Sequence, residues 1–334
     1  MIISRTPFRI SFFGGGTDYP EWYKDNKGSV ISTTIDKYCY INLRSLPPFF
    51  NYNYRLRYFK KEEVKKIVEI KHPSIRECLK FLQFKNNDRL EIVHSADLPA
   101  LSGLGSSSTF TVSLLHALYT LRNENITKKQ LAMEAIHVER NLIGEKVGSQ
   151  DQTAAAFGGL NHIVFENNGN LKVNNIFFSK EEIIKLEENS ILLFTGLQRK
   201  ANSIAKDKVK NIKSNKNINS LNDISRLTDQ ALEEIFFKKK IDFKKFGEAL
   251  KDQWDLKKKL SEKVTNYQID QIFSEAYSQG AYGGKILGAG GGGFILFLVP
   301  KNKQRRFLKC FNKFLQVPFR IDNTGSQIIY YSKS

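Results

Sequence analysis

PALSGLGSSSTFTVSLLHALYTL, residues 99–121, is the stretch on which the fold is decided. A short apolar run, Leu90 to Val93, precedes it and reads as a strand. Small glycine and serine residues follow, and then apolar positions at Phe110, Leu114, Leu115, Leu118 and Leu121 with helical spacing. That order puts Gly103, Gly105, Ser106, Ser107 and Ser108 at a helix N-terminus, where unpaired N–H groups and the positive end of the macrodipole face outward. Such a helix start binds phosphate without a cationic side chain. Glycine lets the backbone approach the anion, and a serine hydroxyl can reach a metal carried on it. A plain glycine turn capped by serine fits the same residues, so the rest of the chain has to decide.

Working outward, 334 residues suit two domains, and 41% hydrophobic with 12% aromatic residues mark a globular chain. No apolar run approaches the ~20 residues of a membrane span. The opening MIISRTPFRISFF has no long apolar segment with a small-residue cleavage site, so a cytosolic protein is expected. Cys39, Cys78 and Cys310 are scattered, which argues against a disulfide framework or zinc site, and the five histidines show no ligand spacing. The net charge of +18 raises nucleic-acid binding as one reading. Its lysines are dispersed among asparagines, as in KDKVKNIKSNKNIN (Lys206 to Asn219), with no aromatic platform beside them. A positive field that gathers anionic small molecules is the simpler explanation.

The first half reads as mixed α+β: strands at Ile3–Phe13, Val30–Leu43 and Leu90–Ser95, an amphipathic helix at Lys128–Leu142, and a hairpin around NNGN. On that helix Leu131, Ala135, Val138 and Leu142 are expected on one buried face. Near Ser190 the pattern changes. A strand, a long lysine-rich helical region, two strands flanking a glycine run, a helix and a closing strand at Gln327–Tyr331 give the ferredoxin-like order. The expected division is residues 1–188 and 189–334, with a site between the halves.

Three glycine segments punctuate the chain: FFGGGTDY (Phe12 to Tyr19), GLGSSS (Gly103 to Ser108) and GAGGGGF (Gly288 to Phe294). The last matches G-x-G-x-x-G but leads into a strand, which excludes the dinucleotide fingerprint, and no P-loop or protein-kinase signature is present. Between the loops lies HVERNLIGEKVGSQDQ, His137 to Gln152, with Glu139 and Asp151 on either side of a flexible connection. Two carboxylates near a phosphate cradle have the logic of phosphoryl transfer: one holds Mg²⁺ and the other orients the acceptor hydroxyl. Spacing alone equally allows Glu139 to pair with Arg140 and Asp151 to cap a short helix.

Taken in order, RTPFRI, GGGTD, PALSGLGSSS, VER…GSQDQ and GAGGGGF resemble the GHMP kinases over almost the whole chain. The resemblance implies an α+β protein, with a ribosomal-S5-domain-2-like N-terminal domain and a ferredoxin-like C-terminal domain, and ATP and Mg²⁺ as its requirements. The family's P-x-x-x-G-L-G-S-S-A loop falls on Pro99 and on Gly103, Leu104, Gly105, Ser106, Ser107 and Ser108, with Ser108 in place of alanine. By the same resemblance Ser107 and Glu139 match the Mg²⁺ ligands, Asp151 the catalytic aspartate, and Arg9 the basic residue that stabilises that aspartate and the moving phosphoryl group. Gly15, Gly16, Thr17 and Asp18 fall on the acceptor loop, where glycines stand in place of the glutamate and histidine of galactokinases. Gly290 and Gly291 fall on the C-terminal loop that shapes the substrate side. Arg199 takes a basic position that suits a sugar phosphate. The GGGTD form is similar to the heptose 7-phosphate kinase branch, so the expected activity is phosphorylation of a sugar phosphate at its anomeric oxygen, for surface-polysaccharide synthesis. A homodimer is the assembly entertained. A non-catalytic sugar-binding sensor and a kinase for fucose, arabinose or galactose are the alternatives.

Overall fold

The computed structural model describes residues 1–100, 102–197 and 201–332, with backbone alone for 201–203. Two strands build the frame: β1 (Ile2–Phe13) runs antiparallel to β2 (Gly28–Ser45). At 18 residues, β2 is long enough to serve several partners along its length. Its end, Cys39–Ser45, pairs with β5 (Leu90–Ala96), and its start, Gly28–Ser32, pairs with β6 (Asn161–Phe165) of the hairpin with β7 (Leu171–Asn175). β3 (Tyr54–Arg57) adds parallel to β5, and β4 (Lys61–Val64) closes that edge.

The Ser106–Leu121 helix packs on this sheet with nearly its whole circumference buried: Thr109, Thr111, Ser113 and Ala117 are covered along with the leucines. Its serines and threonines permit that close approach. Ser4 Oγ donates to Ser113 O at 2.8 Å, tying the helix to β1. A buried central helix cannot slide, so its N-terminus is fixed relative to the sheet.

A second, antiparallel sheet has the order β11-β8-β10-β9, from β8 (Ser190–Phe194), β9 (Gly283–Ile286), β10 (Phe294–Leu298) and β11 (Leu315–Gln316). Trp254, Phe273, Phe297, Phe307 and Phe311 form the core beneath it. Here one expectation is corrected. Gln327–Tyr331 does not close this sheet; as β13 it pairs with β1, and β12 (Ile321–Asp322) pairs with β2. The closing position belongs to β11, which is only two residues long. Val317 N still bonds Leu192 O at 2.9 Å, but Pro318 after it has no N–H to extend the ladder, so the chain leaves and crosses to the first sheet.

A second correction concerns the Lys128–His137 helix, which continues as a π-helical turn over Val138–Leu142. The wider turn rotates later residues off the apolar face, and Leu142 is 40% exposed rather than buried with Leu131, Ala135 and Val138. The same turn brings Glu139 fully inside. No helix among the described residues is long and apolar enough to cross a membrane.

Where the two sheets' helices meet, aromatic rings join them. Phe12 and Phe13, at the end of β1, contact Phe246 with centroids 5.3 and 5.8 Å apart, and Phe236 sits 5.2 Å from Phe246. This cluster holds the glycine turn after β1 against the Phe243–Lys258 helix. Phe246→Ala empties a fully buried site, and we expect a loss of about 3–5 kcal/mol in urea unfolding; a loss below about 1 kcal/mol would contradict the role given to these rings.

Candidate functional site

One cavity of about 330 Å³ is walled by residues from all three glycine segments and by Arg9 and Asp151. Its floor begins with Gly105, which caps the Ser106–Leu121 helix at φ +79°. That left-handed backbone suits glycine, and a Cβ there would lie 3.2 Å from Asp151 Oδ2. Gly103, Ser106, Ser107 and Ser108 complete the helix-start wall. Leu104 is a core residue, and Pro99 is exposed and apart from the cavity.

Asp151 lies on the first turn of the Gln150–Phe157 helix, beneath that loop. Arg9 grips both its oxygens: Nε donates to Oδ1 and Nη2 to Oδ2, each at 2.8 Å. The third donor, Nη1, reaches Gly103 O at 2.8 Å. Arg9 is 2% exposed and Asp151 24%, so the pair is supported from within while the carboxylate keeps one side toward the cavity.

Glu139 stands behind the helix start, not on the cavity wall. Ser108 donates to its Oε2 at 2.8 Å, and Gln152 Nε2 bonds the same oxygen. Its other oxygen, Oε1, is buried without a hydrogen-bond partner. Burial pushes the carboxyl up to about 7, while neighbouring Thr111, Ser108 and Gln152 pull it down. A buried carboxylate oxygen with no donor fits a cation ligand. Among the described residues no three His, Cys, Asp or Glu side chains form a metal cage. A divalent ion here would therefore draw most of its ligands from phosphate and water.

At the opposite end the chain turns sharply after β1. Gly15, Gly16 and Asp18 line the cavity, whereas Thr17 is buried and holds the turn: its hydroxyl lies 2.9 Å from both Gly14 O and Ser29 O and shares its one hydrogen between them. Asp18 accepts from Gly16 N at 2.9 Å, and burial raises its pKa above the ordinary carboxylate value, with backbone N–H groups working against the shift and Asp151 adding to it. Gly148 makes room for it, since a Cβ there would fall 1.8 Å from Asp18 Oδ2. In the last glycine segment the cavity wall is Gly288 and Ala289. Gly290 and Gly291, expected at the substrate, instead pack on Val264: Gly291 N donates to Val264 O at 2.7 Å, and a Cβ on Gly290 would meet the same carbonyl at 2.8 Å. Arg199 lies outside the described residues.

The sequence reading missed three buried lysines on this wall, Lys208, Lys257 and Lys285. A signal for one was present: Lys285 interrupts an otherwise apolar or glycine strand, YGGKIL.

The sequence matches the GHMP kinases N terminal domain over residues 73–159 and the GHMP kinases C terminal region over residues 231–316. The chain belongs to the GHMP kinases. It is 29% identical to the D-glycero-alpha-D-manno-heptose 7-phosphate kinase of Campylobacter jejuni, over 93% of both chains. A galactokinase of Pyrococcus furiosus is 28% identical over 63% of this chain and 64% of its own. Among solved structures, a putative sugar kinase from Campylobacter jejuni superposes with a TM-score of 0.70 at 28% identity, covering 98% of each chain. A D-glycero-D-manno-heptose 1-phosphate kinase from Bacteroides thetaiotaomicron shares the fold with a TM-score of 0.73 at 23% identity over the full length of both.

Gly148→Ala sets a methyl group against Asp18, and the expected outcome is an Asp18 side chain rotated away from Gly16 N in a crystal structure of the variant. An Asp18 left in place would contradict the tight fit described here.

Proposed function

We propose that this chain is an ATP-dependent sugar kinase whose acceptor is the anomeric hydroxyl of D-glycero-D-manno-heptose 7-phosphate, acting in nucleotide-heptose formation for a surface polysaccharide. The observation that carries the reading is the shared cavity: the start of the Ser106–Leu121 helix, an Arg9-gripped Asp151, and a polar turn ending in Asp18. The heptose acceptor is favoured by the likeness to the Campylobacter enzyme over nearly the whole chain.

In this reading the triphosphate lies on the backbone N–H groups of Gly103 to Ser108. Asp18, with the open space left by Gly15 and Gly16, receives sugar hydroxyls. Asp151 orients the acceptor hydroxyl and takes its proton as the oxygen attacks the γ-phosphorus; the bond from that phosphorus to the β-bridging oxygen breaks, and ADP leaves. Arg9 fixes both Asp151 oxygens, so the carboxylate does not turn away during transfer. Ser107 and Glu139 would hold Mg²⁺, which neutralises phosphate charge when bound.

Asp151→Asn should lower turnover by roughly 10² to 10⁴-fold while ATP binding persists, measured by coupled ADP release and by calorimetry. Undiminished turnover would remove Asp151 from the reaction. The test of the acceptor is the same ADP assay across heptose 7-phosphate, mannose, fucose, arabinose and galactose. Turnover restricted to a neutral sugar would overturn the heptose assignment and leave the kinase standing.

Glu139 gives a pH prediction. Its carboxyl is raised to about 7, so below that pH it is protonated and a poor ligand. The Mg²⁺ concentration needed for half-maximal rate should therefore fall as pH rises from 6 to 8. In Glu139→Gln it should be higher and nearly flat over that range. An unchanged Mg²⁺ titration in the variant would count against the ligand role.

A further inference from the structure

The cavity contains two separate features suited to anions, and the proposed reaction at the helix start uses only one. The other is the lysine group on the wall built by the Ala201–Lys213 helix, the Phe243–Lys258 helix and β9. Lys285 Nζ donates to Phe12 O at 2.7 Å, just before the turn that carries Asp18. Lys257 Nζ donates to Ile286 O and Gly288 O at 2.8 and 2.7 Å, and Lys208 Nζ to Ala289 O at 3.0 Å. All three residues are buried, and each amine meets carbonyl dipoles without an ion pair among the described residues.

An ammonium has three N–H donors, so these contacts leave donors unused on every one of them. Burying a charge without a counter-ion is costly, and three together repel each other as well. Burial accordingly lowers Lys208 to about 8 and Lys285 to about 7, and drives Lys257 well below its ordinary value. The charged groups acting on them are one another, Arg9, Asp18 and Asp151. A fold that tolerates this arrangement has a use for it, and a dianion placed among the amines would relieve both the repulsion and the desolvation.

We propose that Lys208, Lys257 and Lys285 form a second anion pocket, which seats the phosphate already carried by the acceptor sugar and makes the phosphorylated sugar the preferred substrate. The placement argues for the acceptor. Lys285 is anchored at the base of the Gly14–Asp18 turn, and Asp18 acts through space on Lys208 and Lys285. The helix start at Ser106 to Ser108 supplies the nucleotide's anion site independently. The inference rests on the sugar kinase reading above.

The test compares heptose 7-phosphate with the same heptose lacking its phosphate, using the full chain, Lys208→Met and Lys285→Met. Loss of a charge-assisted contact should raise KM for the phosphorylated sugar by roughly 10- to 100-fold in each variant. KM for ATP and for the unphosphorylated heptose should stay unchanged, so the preference between acceptors collapses, and Lys208→Arg should restore part of it. Equal loss of kcat with both acceptors would overturn the proposal, because the lysines would then act on the transferred phosphoryl group. If the unaltered chain turns over neither sugar, the kinase reading has failed, and calorimetric binding of heptose 7-phosphate without ATP decides the pocket alone. Weaker binding in the Lys→Met variants, with ATP binding intact as the check on folding, supports it. Equal affinity, or no binding by the unaltered chain, overturns it.

Discussion

Arg9 and Asp151 hold the site together because they connect three elements that are far apart in the chain. The guanidinium comes from the middle of β1, the carboxylate from the helix that follows the Glu139 turn, and the third partner, Gly103 O, from the loop before the central helix. Arginine suits this position: its planar fork meets both carboxylate oxygens and still has a donor for the loop. With one partner removed, a nearly buried charge would remain, a situation that costs about 3–5 kcal/mol in comparable cases. The pair thus fixes the distance between the start of the central helix and the Asp151 carboxylate.

The glycines act around this pair by letting backbones come together. Gly103 and Gly288 are so close that a Cβ on Gly288 would lie 2.6 Å from the main chain of Gly103, which joins the last glycine segment to the helix start. The aromatic cluster of Phe12, Phe13, Phe236 and Phe246 does the same for the turn after β1. Packing and close backbone approach therefore converge on one cavity, and the polar groups in it are held by neighbours that cannot move independently.

Much of this was legible in the sequence. The small residues before the Phe110–Leu121 periodicity gave the helix start, and the order of motifs gave the two-domain α+β fold. The roles proposed for Asp151 and Arg9 came only with the family resemblance, since spacing left Asp151 open as a helix cap. What was not legible depended on long-range packing. A π-helical turn leaves no mark in hydrophobic spacing, so Leu142 was put on the wrong face. The path of the last strand was decided by Pro318 cutting β11 short and by the open edge of β1. Lys208, Lys257 and Lys285 were hidden among many solvated lysines, because which amine is buried is set by elements that meet only in the folded chain. Gly290 and Gly291 were expected at the substrate from the family resemblance, yet Val264 takes up their side of the loop.

The central claim is that this helix start and Asp151 serve the two ends of a single phosphoryl transfer. Its most direct test is a crystal structure with a non-hydrolysable ATP analogue and heptose 7-phosphate bound together. The account predicts phosphate oxygens on the N–H groups of Gly105 to Ser108 and the anomeric oxygen within roughly 2.6–3.2 Å of Asp151. A nucleotide bound away from that helix, or an anomeric oxygen turned from Asp151 with the γ-phosphate in place, would contradict it.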